Sequence, residues 1–181
     1  TYIVGAMNSF KDSFIGIETH LAGACLKPGA FANFYSYASQ NELVNDTIEF
    51  EKSKSSDPGK IGGSLFHYFN LFFLERLKSR NAPLQPVLND IGLANGHIGI
   101  YELSKKNCTT VRQLERNFKK HIGLWPKEYA NIVRFQNALD KIKNSGQQRS
   151  LTDIAFECGY YDISHLSNEI KRNTGLSPSL L

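Results

Sequence analysis

The chain has 181 residues, 41% of them hydrophobic, and a formal net charge of +4. This length is enough to bury a core and fits one domain or two small ones. No stretch reaches the ~18 uncharged apolar residues of a membrane-spanning helix, so we expect no membrane partner. Because the first residue is Thr, we expect a fragment of a longer protein, in which a missing signal peptide means little.

The excess positive charge lies in the second half of the chain. Residues 84–181 contain thirteen Lys or Arg against nine Asp or Glu, whereas residues 1–83 contain eight against eight. A surplus of four fits either a solvated surface or a nucleic-acid partner. Charge alone therefore leaves both interpretations open.

The first fifty residues contain short apolar segments that are broken by glycine. Tyr2–Ala6 and Phe14–Leu26 predict strands, and the Lys-Pro-Gly of Lys27–Gly29 predicts a turn. Ala30–Tyr37 and Asn41–Asn45 each predict a short helix. The N-terminal segment is therefore expected to be partly β and partly α.

A polar linker then leads into an apolar helix. Residues 51–63, EKSKSSDPGKIGG, predict a linker or a flexible loop. Residues 64–80, SLFHYFNLFFLERLKSR, predict a helix that begins after Ser64 and is apolar on more than one face. Two interpretations of this helix stay open: a core helix that joins both halves of the chain, or a contact in a homodimer.

One sequence pattern occurs twice. Residues 110–129 return fifty-two positions later as residues 162–181, with the same order of a short polar residue, two apolar residues, a basic pair and Gly-Leu-x-Pro. The polar residue predicts a helix N-cap, and Gln113 is expected to complete a capping box with Thr110. The glycine and the proline predict the end of one helix and the first turn of the next.

Further helices are predicted around the two copies. Ile100–Lys106 precedes the first copy, and Leu151–Glu157, with Ser150 as its cap, precedes the second. Pro86–Asn95 predicts a supporting helix, and residues 126–144 predict a connecting helix about 28 Å long. Two short helices joined by a tight turn indicate a helix-turn-helix, whose second helix enters the major groove in DNA-binding proteins.

Two motifs in this half of the chain carry a family resemblance. Leu151–Leu166, LTDIAFECGYYDISHL, is followed by Lys171–Pro178, KRNTGLSP, and Thr110–Phe118 reads TVRQLERNF. Together they resemble the signature and the first recognition helix of the AraC/XylS (arabinose-regulator) family of bacterial transcription factors. The resemblance covers residues 84–181. The chain departs from the usual family residues at four positions: Ser104, Asn107, Leu166 and Ile170.

This resemblance implies a mainly α protein. Its C-terminal domain would be all-α, with two helix-turn-helix units joined by a linker helix, preceded by a partial α+β or β-rich N-terminal segment. We expect residues 1–63 to be a partial sensor, effector or dimerisation domain with a flexible loop. Residues 64–83 would be a connecting helix, and residues 84–181 the DNA-binding domain.

The resemblance also implies a function and partners. The expected function is that of a sequence-specific transcriptional regulator that reads two adjacent major-groove segments. The implied partners are double-stranded DNA, RNA polymerase, a small-molecule effector at the N-terminal domain and a second copy of the chain. The implied location is the bacterial cytoplasm, at the nucleoid.

Candidate DNA contacts lie on the outward faces of the two recognition helices. Arg112 and Arg116 are the predicted base readers of the first, because arginine can bind guanine through two hydrogen bonds. The alternative is that they are surface arginines paired with acidic neighbours such as Glu115. On the second helix the predicted base contacts are Ile163, Ser164, His165 and Asn168. The predicted phosphate contacts near helix ends are Lys119, Lys127, Ser150, Thr152 and Lys171.

Other classes of function find less support in the sequence. No catalytic triad, metal-ligand spacing or nucleotide-binding loop is present, so we expect neither an enzyme nor a cofactor. Cys25, Cys108 and Cys158 are widely spaced and indicate free thiols in a reducing cytoplasm. The rival hypotheses are a helical protein-interaction module and a ligand-sensing protein with little DNA binding. Steep salt dependence and a preferred DNA sequence would distinguish a regulator from both.

Overall fold

The structure is a computed structural model, and it describes residues 1–35, 39–51, 56–57, 63–78, 83–145 and 149–180. Within these ranges most of the regular structure is helical, and the only sheet has two short strands. The predicted mainly α fold is therefore confirmed. Most of the linker predicted at residues 51–63 lies outside the described residues.

The N-terminal segment combines two strands with two short 3-10 helices. Strand β1 (Tyr2–Val4) pairs antiparallel with β2 (Thr47–Glu49). The 3-10 helices cover Ala30–Asn33 and Gln40–Leu43, close to where short helices were expected. The prediction of a mixed N-terminal segment is thus confirmed in outline.

The strand predicted over Phe14–Leu26 is wrong. The apolar side chains that suggested it point into solvent, with Phe14 and Ile17 almost fully exposed. A strand also requires a neighbour for its backbone groups. Among the described residues, β1 and β2 pair only with each other.

Helix α1 (Leu65–Arg76) begins as predicted, with the Ser64 hydroxyl accepting a hydrogen bond from the His67 N–H at 3.5 Å. No α1 side chain is fully buried, and Phe66 is 76% exposed. One side of the helix packs on the N-terminal segment, where the rings of Phe73 and Phe34 lie 4.9 Å apart. The core-helix interpretation is therefore wrong, whereas the homodimer contact stays a prediction.

Six α-helices form the C-terminal part of the described chain. They are α2 (Gln85–Leu93), α3 (Ile100–Lys106), α4 (Val111–His121), α5 (Pro126–Ser145), α6 (Leu151–Glu157) and α7 (Ile163–Thr174). Helices α3 and α4 make the first helix-turn-helix unit, α6 and α7 make the second, and α5 joins them. No helix of the described ranges is both long and apolar enough to cross a membrane.

Both recognition helices, α4 and α7, begin with the predicted caps. The Thr110 hydroxyl accepts a hydrogen bond from the Gln113 N–H at 3.1 Å, and the Asp162 carboxylate accepts one from the His165 N–H at 2.7 Å. The capping box is only half formed, however. The Gln113 side-chain amide donates to Asn117, one turn further on and within easy reach, rather than to the backbone of Thr110.

The duplicated glycines end these helices as predicted. Gly123 and Gly175 have φ values of 90° and 74°, in the left-handed region that closes a helix without a Cβ clash. Pro126 starts α5, and Pro178 starts a 3-10 turn that runs to Leu180.

Each helix-turn-helix unit has its own hydrophobic core. Leu114 and Phe118 of α4 are buried in the first, and Leu166 and Ile170 of α7 in the second. Helix α5 takes part in both cores, with Ala130 in the first and with Phe135 and Ala138 in the second. A single helix therefore fixes the position of one unit relative to the other.

The N-terminal segment contacts the C-terminal ends of both recognition helices. The Ser39 hydroxyl donates to the Lys119 carbonyl at 3.2 Å, and the Phe10 N–H donates to the Arg172 carbonyl at 2.9 Å. The Phe10 ring also packs against Gly175. These contacts involve only the last turns of α4 and α7 and the turn after α7.

Gly96→Ala should destabilise the first unit. An added Cβ would lie 2.2 Å from the Ala130 carbonyl oxygen, at a φ of +76° that disfavours side chains. We expect a loss of about 2 kcal/mol or more in the free energy of unfolding. Urea denaturation followed by circular dichroism measures this loss.

Gly92→Ala is the matched control. Gly92 is exposed within α2, and an added Cβ would meet nothing within 4 Å. The better helix propensity of alanine should raise stability by up to about 1 kcal/mol. Equal stabilities for the two variants would contradict the close contact between the turn at Gly96 and α5.

Candidate nucleic-acid interface

Helix α4 presents the predicted base readers on its exposed side. Arg112 and Arg116 are both exposed and lie one turn apart, while Leu114 and Phe118 face the core. This division follows from the helical period, which separates the polar positions from the apolar stripe. The exposed side of this short helix therefore carries two guanidinium groups that a ligand can contact.

Arg116 is held in place by a small hydrogen-bond network on α4. Its guanidinium group donates to the Gln113 side-chain carbonyl, and Gln113 Nε2 donates to Asn117 Oδ1 at 3.0 Å. Across the described ranges, no ion pair joins Glu115 to either arginine. The paired-surface-arginine alternative thus lacks its expected partner, and Gln113 emerges as an orienting residue that sequence reasoning had treated only as a cap.

An open depression of about 480 Å³ flanks α4. It is lined by Ser39, Arg112, Glu115, Arg116, Lys119, Lys120 and Trp125. Lys119 is partly buried here, since its Nζ lies 3.3 Å from the Gly123 carbonyl oxygen and 4.6 Å from the centre of the Trp125 ring. These local contacts compete with the phosphate contact predicted for Lys119.

Helix α7 repeats the geometry of α4 with different side chains. All four predicted base contacts on it are exposed: Ile163, Ser164, His165 and Asn168. The opposite side is buried through Leu166 and Ile170. The exposed strip of its first two turns contains no arginine, so α7 offers hydrogen-bonding groups and one apolar side chain instead of fixed positive charge.

The remaining predicted phosphate contacts are exposed and scattered over helix ends. Lys127 lies in the first turn of α5, Thr152 in that of α6, and Lys171 in the last turn of α7. Ser150 caps α6 by accepting a hydrogen bond from the Asp153 N–H at 3.1 Å, and its hydroxyl also donates to the Asp153 carboxylate. The Ser150 hydroxyl therefore already has its hydrogen-bond partners within α6.

Beneath the strip on α7 lies a charged cluster that the sequence analysis missed. Glu169 is 6% exposed and accepts hydrogen bonds from Arg134 of α5 at 3.1 Å and from Arg172 at 3.3 Å. The Arg134 guanidinium stacks over the ring of Tyr160 at 4.4 Å. Burial raises the pKa of Tyr160 to about 12, which keeps its hydroxyl protonated at all ordinary pH values.

A sequence signal for this cluster did exist. Glu169 lies three residues after Leu166 and directly before Ile170, so the helical period places it beside the buried stripe. A carboxylate at such a position requires a cationic partner. The partner, Arg134, lies thirty-five residues away, and no local spacing connects the two.

Comparisons with known proteins agree with this geometry. Residues 103–181 match the family described as "Helix-turn-helix domain". The chain is 39% identical over 76 residues to the HTH-type transcriptional activator RhaS of Escherichia fergusonii, and 36% identical over 77 residues to RhaS of Klebsiella pneumoniae. Each match covers 42% of this chain and 27% of the relative, so the chain matches about a quarter of the length of these relatives.

A solved structure also matches part of the chain. It is a probable AraC family transcriptional regulator from Rhodopseudomonas palustris, with a TM-score of 0.49 and 22% sequence identity over 54% of this chain and 91% of that chain. The fold and the exposed strips of α4 and α7 agree with the match of residues 103–181 to a helix-turn-helix domain. This part of the chain is thus similar to transcriptional activators, in agreement with the AraC/XylS resemblance that the sequence motifs predicted.

Gln113→Ala should weaken DNA binding, because Arg116 loses the carbonyl that orients it. The loss of one such hydrogen bond corresponds to about a 2- to 10-fold lower affinity. Fluorescence anisotropy with a labelled duplex measures the change.

Gln85→Ala provides the control. Gln85 Nε2 donates to Asn89 Oδ1 at 2.8 Å. This is the same i, i+4 pair of residues, at exposed positions of α2 and outside the recognition helices. This variant should bind DNA like the unmodified chain. An equal loss of affinity in both variants would show that Gln113 acts through general helix stability.

Proposed function

We propose that this chain is a sequence-specific transcriptional regulator that reads two successive major-groove segments on one face of DNA. The observation that carries the proposal is the pair of capped recognition helices anchored on opposite parts of the single helix α5. Each helix buries one side and exposes a polar strip. The strips are thus held by a rigid connector, which suits simultaneous contact with a duplex.

The length of α5 supports the two-groove arrangement. Its 20 residues correspond to about 30 Å at ~1.5 Å per residue. Successive major-groove segments on one face of B-DNA lie ~34 Å apart. A spacer of this length allows one chain to recognise a site that is not palindromic.

The two units are assigned different roles in sequence reading. Arg112 and Arg116 of the first unit would read guanine. In the second unit Ser164, His165 and Asn168 would bond base edges, with Ile163 against a thymine methyl group. Because neutral side chains form fewer bidentate contacts with guanine, we propose that the second segment is read less strictly. Phosphate contacts that hold register would come from Lys119, Lys127, Thr152 and Lys171, and from the backbone N–H of Ser150, whose hydroxyl is used within α6.

The wider role of the protein is also a proposal. The relatives are named as transcriptional activators, which supports a partnership with RNA polymerase at the nucleoid in the bacterial cytoplasm. We assign an effector site to the N-terminal segment, residues 1–63, and a homodimer contact to the connecting helix, residues 64–83. We assign DNA binding to residues 84–181 and no catalytic activity to the chain.

Footprinting on a duplex selected from a random pool tests the proposal. We expect hydroxyl-radical protection at two sites about 10 bp apart on one face of the DNA. Protection of a single groove, unchanged when His165 and Asn168 are replaced by alanine, would contradict two-groove reading. Binding without sequence preference or salt dependence would instead favour the protein-interaction module.

Arg116→Ala and Lys171→Ala should affect binding in different ways. The arginine variant should lose about 1–3 kcal/mol of binding free energy and relax the preference at one base position. The lysine variant should weaken binding to all sequences alike and reduce the slope of log K against log salt by about 1. A salt titration on specific and random duplexes separates the two outcomes, and identical behaviour would contradict the assigned roles.

A further inference from the structure

We propose that Glu169 is a positioning residue that fixes the orientation of the second recognition helix against the linker helix, so that the second unit can read its groove. The inference rests on the proposed function, since it concerns how α7 is presented to DNA. The Glu169 side chain is itself almost entirely buried, with little surface for contacting DNA.

The charges of Glu169 and Arg134 are costly to bury. The Glu169 side chain is 6% exposed and the Arg134 side chain 13% exposed, so both ions are largely removed from water. Burying an ion pair carries a desolvation penalty that apolar residues of similar size would avoid. An apolar pair at the same two positions would stabilise the fold at least as well as the ion pair. We therefore attribute the ion pair to the orientation that it gives α7 and not to a gain in folding stability.

The charged cluster joins three elements of the fold. Arg134 comes from the middle of α5, Tyr160 from the turn between α6 and α7, and Glu169 from α7. The Arg134 guanidinium bonds the carboxylate at 3.1 Å while it stacks on the tyrosine ring at 4.4 Å. Apolar contacts tolerate sliding and rotation, but a charge-assisted hydrogen bond with a stacked partner does not. The cluster thus restricts rotation of α7 about its own axis.

The charged cluster also lies close to the predicted base contacts of α7. Glu169 Oε2 lies 3.9 Å from Nε2 of His165, which is exposed one turn earlier on α7. The His165 ring also lies edge-on to Tyr160, with the ring centres 5.1 Å apart. The carboxylate that binds α5 therefore also sits directly below one side chain of the exposed strip.

The first unit has different residues, with different contacts, at the positions equivalent to Glu169 and His165. With the fifty-two-residue offset, Glu169 corresponds to Asn117 and His165 corresponds to Gln113. Asn117 and Gln113 bond each other within α4, and Gln113 in turn holds Arg116. The first unit thus orients a charged reader from within its own helix, whereas the second is oriented by a bond to α5.

Glu169→Gln in the full chain tests the role, because it keeps the shape and removes the charge. The duplex is one that the unmodified chain protects at two grooves. We expect the affinity measured from protection of the second groove to fall about tenfold or more. Protection of the first groove should remain. All variants are compared at a temperature at which circular dichroism shows each to be folded.

Glu157→Gln is the matched control. Glu157 also bridges the second unit to α5, through Lys141 at 2.5 Å, and it bonds Arg149 at 2.9 Å, but it lies on α6 and is half exposed. This variant should protect both grooves normally. If both variants lost protection of the second groove to the same extent, the specific role of Glu169 would be overturned.

A double variant separates positioning from stability. Glu169→Met combined with Arg134→Met replaces the ion pair with apolar side chains and should recover the thermal stability of the unmodified chain. If the pair positions α7, second-groove protection stays weak in this stable variant. Full protection of both grooves by the double variant, or by Glu169→Gln, would overturn the inference. Failure of the unmodified chain to protect two grooves would instead contradict the proposed function.

Discussion

The structure depends on helix α5 being buried in two cores at once. Ala130 and Ala138 are both fully buried, one in the core of each helix-turn-helix unit. Small side chains let neighbouring helices approach closely at these two places. Since the connector is a continuous helix and not a flexible loop, the two recognition helices are held in a defined relation. A protein that reads two groove segments together requires this rigidity, because a flexible joint would cost entropy on binding.

The two units are built alike but are held differently. Both recognition helices carry a polar cap, an apolar stripe and a glycine in the left-handed region. In the first unit a side-chain network within α4 orients Arg116. In the second, the buried pair of Glu169 and Arg134 joins α7 to the connector. The two copies of the sequence pattern thus share a backbone architecture but differ in their orienting contacts.

The N-terminal segment adds contacts at the C-terminal ends of both recognition helices. Ser39 reaches the last turn of α4, and Phe10 reaches the end of α7. The predicted base contacts lie in the first two turns of each helix, so they and the contacts of Ser39 and Phe10 occupy different ends. Helix α1 packs on this segment along one side only, and the rest of its apolar surface is exposed. The core-helix interpretation of α1 was wrong because a helix that is apolar on all sides requires neighbours on every side. The described part of the chain does not supply them.

By itself the sequence determined the helices of the C-terminal half, their order and their ends, since caps, glycines, prolines and the apolar period act within about four residues of each other. The outward positions of Arg112, Arg116 and Asn168 followed from the same local period. Only the tertiary structure decided which distant side chains meet. It paired Glu169 with Arg134, placed Phe10 against Gly175 and left Phe14–Leu26 without a strand partner. Such contacts depend on how separate elements pack, and no pattern within one element encodes them.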